Sequence, residues 1–159
     1  MSAHQSAIRW QRNPHEADVQ TYSRNHQVTL NGGQQVNVSA SVEFKGDSSC
    51  ADPEQMLVSA VSSCHMLFFL AIADYQGYLV ESYEDDPVGH LESNDRKGME
   101  ITRIELSPRI AFGGDKVPDQ KVISRIHASA HRSCFIRNSI TAEVTINDVE
   151  AAISGGSHL

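Results

Sequence analysis

Apolar residues recur at three- and four-residue intervals from Met56 to Tyr75, through Leu57, Ala60, Val61, Cys64, Leu67, Phe68, Ala71 and Ile72. That interval is the helix period, so the pattern predicts one long helix with this stripe facing inward. Asp52 is placed to cap its start, Pro53 suits the first helical position, and Gln55 completes an Asp-x-x-Gln box. Gly77 is placed to end it as a C′ residue. Val58, Met66, Phe69 and Leu70 carry apolar character around the back, so the helix needs cover on most of its sides.

Elsewhere the period changes. "LNGGQQVNVSASVEF" predicts a hairpin turning at Asn31-Gly32-Gly33, followed by alternation of Val36, Val38, Ala40 and Val42 with polar neighbours. "YLVESYEDDPVGHLES" and "MEITRIELSPRIAFGG" predict strands around an Asn94-Asp95 turn. Ile104, Leu106, Ile110 and Phe112 fall on one face, and Arg103, Glu105, Ser107 and Arg109 on the other, as in an antiparallel sheet. After Pro118, "DQKVISRIHASAHRS" predicts a second helix with Val122, Ile123, Ile126 and Ala130 inward and Cys134 at its end. "NSITAEVTIND" alternates Ile140, Ala142, Val144 and Ile146 as a last strand. Strands, helix, strands, helix, strand define an α+β fold of antiparallel sheet packed on a long central helix and a second helix. One sheet covers one side of the long helix, and a second copy of the chain is the simplest cover for the other.

The length of 159 residues fits a single domain, taken here as 1–150, with a flexible tail at 151–159. Ser59, Ser62, Ser63, His65 and Asp74 interrupt the longest apolar run, so no membrane span is expected, and "MSAHQSAIRWQRNP" lacks the apolar core of a signal peptide. A cytoplasmic protein is the resulting expectation. The net charge of −7 and the lack of a Lys/Arg-rich run disfavour nucleic acid and anionic membrane as partners. The three cysteines, Cys50, Cys64 and Cys134, are too few and odd in number for a disulfide framework. They leave room for one functional pair and one spare thiol.

A thiol buried among apolar groups is a poor nucleophile unless a cation favours its thiolate. "ADPEQMLVSAVSSCHMLFFLAIADYQGY" together with "HRSCFIRNSI" resembles the OsmC/Ohr family of thiol peroxidases, named for osmotic induction and organic hydroperoxide resistance. The resemblance runs from the first hairpin to the last strand. It implies an intertwined homodimer with shared sites, a peroxidatic cysteine at Cys64 and a resolving cysteine at Cys134. It further implies an orienting glutamate at Glu54 and an activating arginine in the N-terminal sheet, matched by Arg24 with Arg12 as the rival. The chemistry implied is attack of the Cys64 thiolate on a peroxide O–O bond and formation of a sulfenic acid. Condensation with Cys134 to a disulfide follows, and an external dithiol, lipoyl-type in relatives, reduces it. The product is an alcohol. Arg24 would favour the thiolate, and Glu54 would hold its guanidinium through a bidentate contact. Met56, Met66, Phe68 and Phe69 offer an apolar wall, which favours organic hydroperoxides over hydrogen peroxide. "SSCHM" differs from the "AACF" type of segment common in better-known members.

Glu54 precedes Cys64 by ten residues, about 15 Å along one helix and on another face, so it can serve Cys64 only from a second helix running the other way. Plainer readings stand beside these. Cys64 could be a small core hydrophobe. Glu54 could only favour the helix dipole, and Arg24 could be a solvated strand-end charge. Cys50 reads as a spare exposed thiol. His65 adjoins Cys64 but points about 100° away from it, which argues against a shared zinc ion, and His65 and His131 read as structural or surface residues. No metal or other cofactor is implied. Besides a peroxidase, the sequence is compatible with a slow redox-sensing protein of the same family and with a structural dimer module.

Overall fold

The computed structural model describes residues 1–96 and 98–147; the tail expected at 151–159 lies outside them. The chain divides into two compact units, Met1–Met56 and a second that begins at Leu57.

The first unit is built on a three-stranded antiparallel sheet of β1 (Ala7–Arg9), β2 (His26–Thr29) and β3 (Gln35–Val38), in that order. The β2–β3 connection turns at Asn31–Gly33, where Gly32 and Gly33 adopt left-handed backbone. Val28 pairs with Val36 across the ladder, and Val28 and Val38 are buried. The alternation expected to continue to Val42 stops at Val38, which is paired with the first residue of β2 and so has no further ladder to join. The chain instead makes a short 3-10 turn at Val42–Phe44, and Val42 is exposed.

α1 (Pro53–Tyr75) begins with the expected box: Gln55 N donates to Asp52 Oδ1 at 2.7 Å, and Asp52 N donates to Gln55 Oε1 at 3.1 Å. It ends at Gly77, φ 79°, with Tyr78 N bonded to Ala73 O and Gly77 N to Asp74 O. These are the two bonds of a Schellman C-terminus. By length and composition α1 could cross a membrane, contrary to expectation, since its few polar residues do not outweigh its Leu, Phe and Ile content. Within the second unit, however, it is a core helix whose buried Ser62 and His65 are hydrogen-bonded.

The second unit adds β4 (Leu79–Glu84), β5 (Val88–Asn94), β6 (Gly98–Leu106), β7 (Arg109–Gly113), α2 (Gln120–Ser133) and β8 (Glu143–Ile146). β4 pairs with β7, and β5-β6-β8 form a second sheet. Among the described strands of this unit the pairings are antiparallel except β6 with β8, which is parallel and corrects the expectation of antiparallel sheet. The reason is the excursion through β7 and α2, which returns the chain in the direction it left; a tight hairpin would have reversed it. The last strand is also shorter than expected, because Arg137–Ser139 forms a 3-10 turn. α2 is N-capped by Asp119, whose Oδ1 accepts from Val122 N at 2.8 Å.

α1 serves two cores in succession. Val58 and Val61 pack with Ile104, Leu106 and Val144 of the β5-β6-β8 sheet. Phe69 and Ala73 pack with Ile110 and Phe112 of β7 and with Ile123, Ile126 and Ala130 of α2. The strand faces and the α2 face are those read from the sequence. The buried stripe of α1 is not: Val58, Val61, Ser62, His65, Phe69 and Ala73 face inward, while Leu67, Ala71 and Tyr75 are exposed. A helix apolar almost all round gives its period no means to choose a face. Close approach decides it at one point, since a Cβ on Gly89 of β5 would meet Val58 Cγ2 at 2.4 Å.

Candidate active site

The second unit brings two thiols together. Cys64 stands partly exposed near the middle of α1, and Cys134, fully buried, is the C-cap of α2. Cys134 Sγ lies 4.0 Å from the Val61 carbonyl of α1 and accepts from Arg137 N at 3.4 Å. Burial pushes the Cys134 thiol up, the Arg137 N–H opposes this, and the Cys64 thiol beside it pushes further up. Both sulfurs are free thiols. Phe68, one turn beyond Cys64, meets Phe135 edge to face at 5.0 Å, so the pair is bordered by rings on one side.

The other expected site residues are distributed as follows. Phe69 is wholly buried, tilted against Tyr83, Phe112 and His127, so it belongs to the core. Met66 borders an open cavity of about 520 Å³ whose other walls include Ser59, Ser63, Tyr83, Asp85 and Arg109. The Tyr83 hydroxyl there is buried without a hydrogen-bond partner, and burial pushes its pKa up. Met66 therefore stands among polar groups. Asp85 ties this region together: Oδ2 accepts from Ser62 Oγ at 2.5 Å and Oδ1 from Ser107 N at 2.7 Å.

In the first unit, Met56 is partly buried in the first turns of α1. Glu54 lies in the first turn, and its Oε2 is buried with no hydrogen-bond partner. Arg24 lies over the Tyr22 ring, 4.2 Å from its centroid, and donates to Thr21 Oγ1 and the Tyr22 carbonyl. Arg12 approaches the same ring at 5.8 Å, and Trp10 meets it edge to face. The two arginines that rivalled one another in the sequence thus share one aromatic support. Cys50 is half-buried in its loop.

Histidine was undervalued in the sequence. His65 Nε2 and His127 Nδ1 are 3.0 Å apart, with both rings buried. Burial, then His127 and His131, lowers the His65 pKa to about 4, so its ring is neutral at neutral pH. His131 is lowered too, by burial and then by Arg137 and Arg132, and its Nδ1 is buried without a partner. His127 gives only a weak signal in the sequence: Ile123, Ile126, His127 and Ala130 fall on one helical face. That position on an apolar stripe was the available signal. Among the described residues, no group of three His, Cys, Asp or Glu is arranged to hold a metal ion.

An α+β chain that seats two thiols between a long core helix and the end of a second helix defines a class, and comparison with known proteins identifies it. The OsmC-like protein family matches residues 44–147, and the chain belongs to that OsmC/Ohr family. An OsmC-like protein of unknown function from Vibrio cholerae is 37% identical, with a TM-score of 0.85 over 92% of this chain and 99% of that one. An organic hydroperoxide resistance protein from Legionella pneumophila shares the fold at 17% identity and a TM-score of 0.62, over 98% of this chain and 100% of that one. The organic hydroperoxide resistance protein OhrB of Bacillus subtilis does so at 13% and 0.62, over 91% and 96%. No curated protein matches the chain.

Proposed function

We propose that the protein is a thiol-dependent peroxidase that reduces organic hydroperoxides to alcohols. The Cys64 thiolate attacks the O–O bond, the alcohol leaves, and Cys64 becomes a sulfenic acid. Cys134 then attacks that sulfur, water leaves, and a Cys64–Cys134 disulfide forms. A dithiol, of lipoyl type in the simplest case, returns the two electrons and two protons. The observation that carries the reading is that the Cys64 thiol stands near enough to Cys134, across the α1–α2 seam, to raise its pKa.

Family membership supports a redox function in general. The lone buried oxygen of Glu54 supports the rest of the site. A buried carboxylate oxygen without a partner costs folding free energy, and a guanidinium is the group that fits it best. In this reading Arg24, or its neighbour Arg12, leaves the face of Tyr22 and is oriented by Glu54. It then supplies the positive charge that a thiolate in an apolar niche requires. Because Glu54 stands about 15 Å along α1 from Cys64, it serves the Cys64 of a second chain, which makes the protein a homodimer with shared sites. The exposed Leu67 and Tyr75 face of α1 is the surface such a partner would cover. Phe68 supplies the substrate wall beside the thiols, with Phe69 supporting it from the core. The protein works in the cytoplasm.

Burial of Cys134 favours one alternative, a redox sensor of the same family that closes its disulfide slowly. Turnover separates the two. Steady-state consumption of cumene hydroperoxide with dihydrolipoamide is expected for the peroxidase, faster than with hydrogen peroxide and absent in Cys64→Ser. A single stoichiometric oxidation without turnover would assign the sensor instead.

A further inference from the structure

Two paired polar points lie in the α1–α2 seam. One is the thiol pair. The other is the 3.0 Å hydrogen bond between His65 Nε2 and His127 Nδ1, whose rings are only 1% and 4% exposed. The ring planes lie within 8° of each other, with centroids 5.3 Å apart. That separation is the N···N distance plus the two ring radii. The rings therefore lie edge to edge, aligned along the hydrogen bond, and do not stack face to face. Phe69 closes over His127 at a centroid distance of 4.5 Å.

Around this bond the seam includes Phe69, Ile126 and Ala130, with His131 also near His65. Apolar burial is non-directional, so such groups specify the register of one helix on another only weakly. A buried hydrogen bond specifies it, because sliding α2 along α1 would leave two imidazole nitrogens unpaired away from water. A single buried polar residue fixes register in coiled coils for the same reason. His65 follows Cys64 directly on α1, and Cys134 lies about two turns beyond His127 on α2. Holding His65 against His127 thereby determines where the end of α2, and the sulfur it carries, falls along α1.

We propose that His65 and His127 are a positioning pair, whose hydrogen bond sets the register of α2 that keeps Cys134 in reach of Cys64. The inference rests on the Cys64–Cys134 redox pair proposed above and adds two residues outside it. The His65 ring, held neutral by burial beside His127 and His131, brings no charge of its own to the seam at neutral pH.

The test needs no peroxide. The full chain is equilibrated with mixtures of oxidised and reduced dithiothreitol at pH 7.5, and the Cys64–Cys134 disulfide is quantified by peptide mass. Cyclic dithiothreitol takes two electrons and two protons from the thiols, so the equilibrium constant reads how well the two sulfurs are presented to each other. The double variant His65→Leu/His127→Phe removes both partners of this bond at once and keeps the seam filled. Its constant is expected to fall about tenfold from the parent's, the scale of one lost buried hydrogen bond. His127→Asn, which keeps a polar atom near the Nδ1 position, is expected to stay within about threefold. If the double variant does not fold, His127→Phe takes its place. A folded variant with the parent's constant overturns the proposal, as does His127→Asn falling as far as the ring replacement. Failure of the parent to form this disulfide at all would instead overturn the redox pair itself.

Discussion

Acidification acts on this fold through His65 with a sign and size that the structure defines. The ring is buried in the seam, and burial, with His127 and His131, lowers its pKa from 6.5 to about 4. In the unfolded chain it takes its proton near 6.5; in the folded chain it resists until near 4. Between those values the unfolded state binds more protons, so stability falls as the pH falls. The contribution is fully present above pH 6.5 and lost by about pH 4. A shift of about 2.5 units, at about 1.4 kcal/mol each, amounts to about 3 kcal/mol. Against the typical ~5–15 kcal/mol of a domain, that is a large share. The perturbation is His65→Gln, which reaches the Nε2 position with an amide and does not titrate. Urea unfolding at fixed protein concentration, at pH 7.5 and pH 4.0, gives the comparison. The parent is expected to lose about 3 kcal/mol more than the variant over that interval. Parallel losses in the two proteins would refute the argument and place the acid sensitivity elsewhere.

Other perturbations have defined outcomes. Asp85→Ala leaves Ser62 Oγ and Ser107 N without their acceptor and is expected to cost about 2–3 kcal/mol in thermal or urea unfolding. Gly89→Ala drives a methyl group into Val58 Cγ2 and is expected to cost about 1–3 kcal/mol, with part of the loss recovered by adding Val58→Ala in a double-mutant cycle. Since burial holds the Cys134 thiol above its ordinary value of 9.0, the rate of disulfide closure after one equivalent of peroxide is expected to climb steadily from pH 7 to 9 in stopped-flow fluorescence. Cys134→Ser is expected to oxidise once and then accumulate sulfenic and higher acids by mass; turnover at the parental rate would remove its resolving role.

What the sequence disclosed follows from how local each signal is. The caps of α1 were legible because Asp52, Gln55 and Gly77 act within one turn of themselves. The inward faces of β6 and β7 were legible because Ile104, Leu106, Ile110 and Phe112 alternate with Arg103, Glu105, Ser107 and Arg109. The buried face of α1 was not, since Leu67 and Phe69 are equally apolar and only packing of Phe69 against β7 and α2 distinguishes them. The parallel pairing of β8 depends on the path of everything between Leu106 and Glu143, which no local pattern encodes. At the site, the two thiols were matched through family resemblance, and their proximity comes from tertiary packing. His127 was overlooked because a histidine on an apolar stripe looks the same whether or not a second histidine waits on the facing helix.

The central claim is that Cys64 and Cys134 act as one redox couple. Intact mass of the full chain before and after one equivalent of cumene hydroperoxide tests it most directly. The account predicts loss of two hydrogens, mapped by peptides to a Cys64–Cys134 disulfide. An unchanged mass, or oxygen retained on Cys64 with Cys134 still a free thiol, would contradict it.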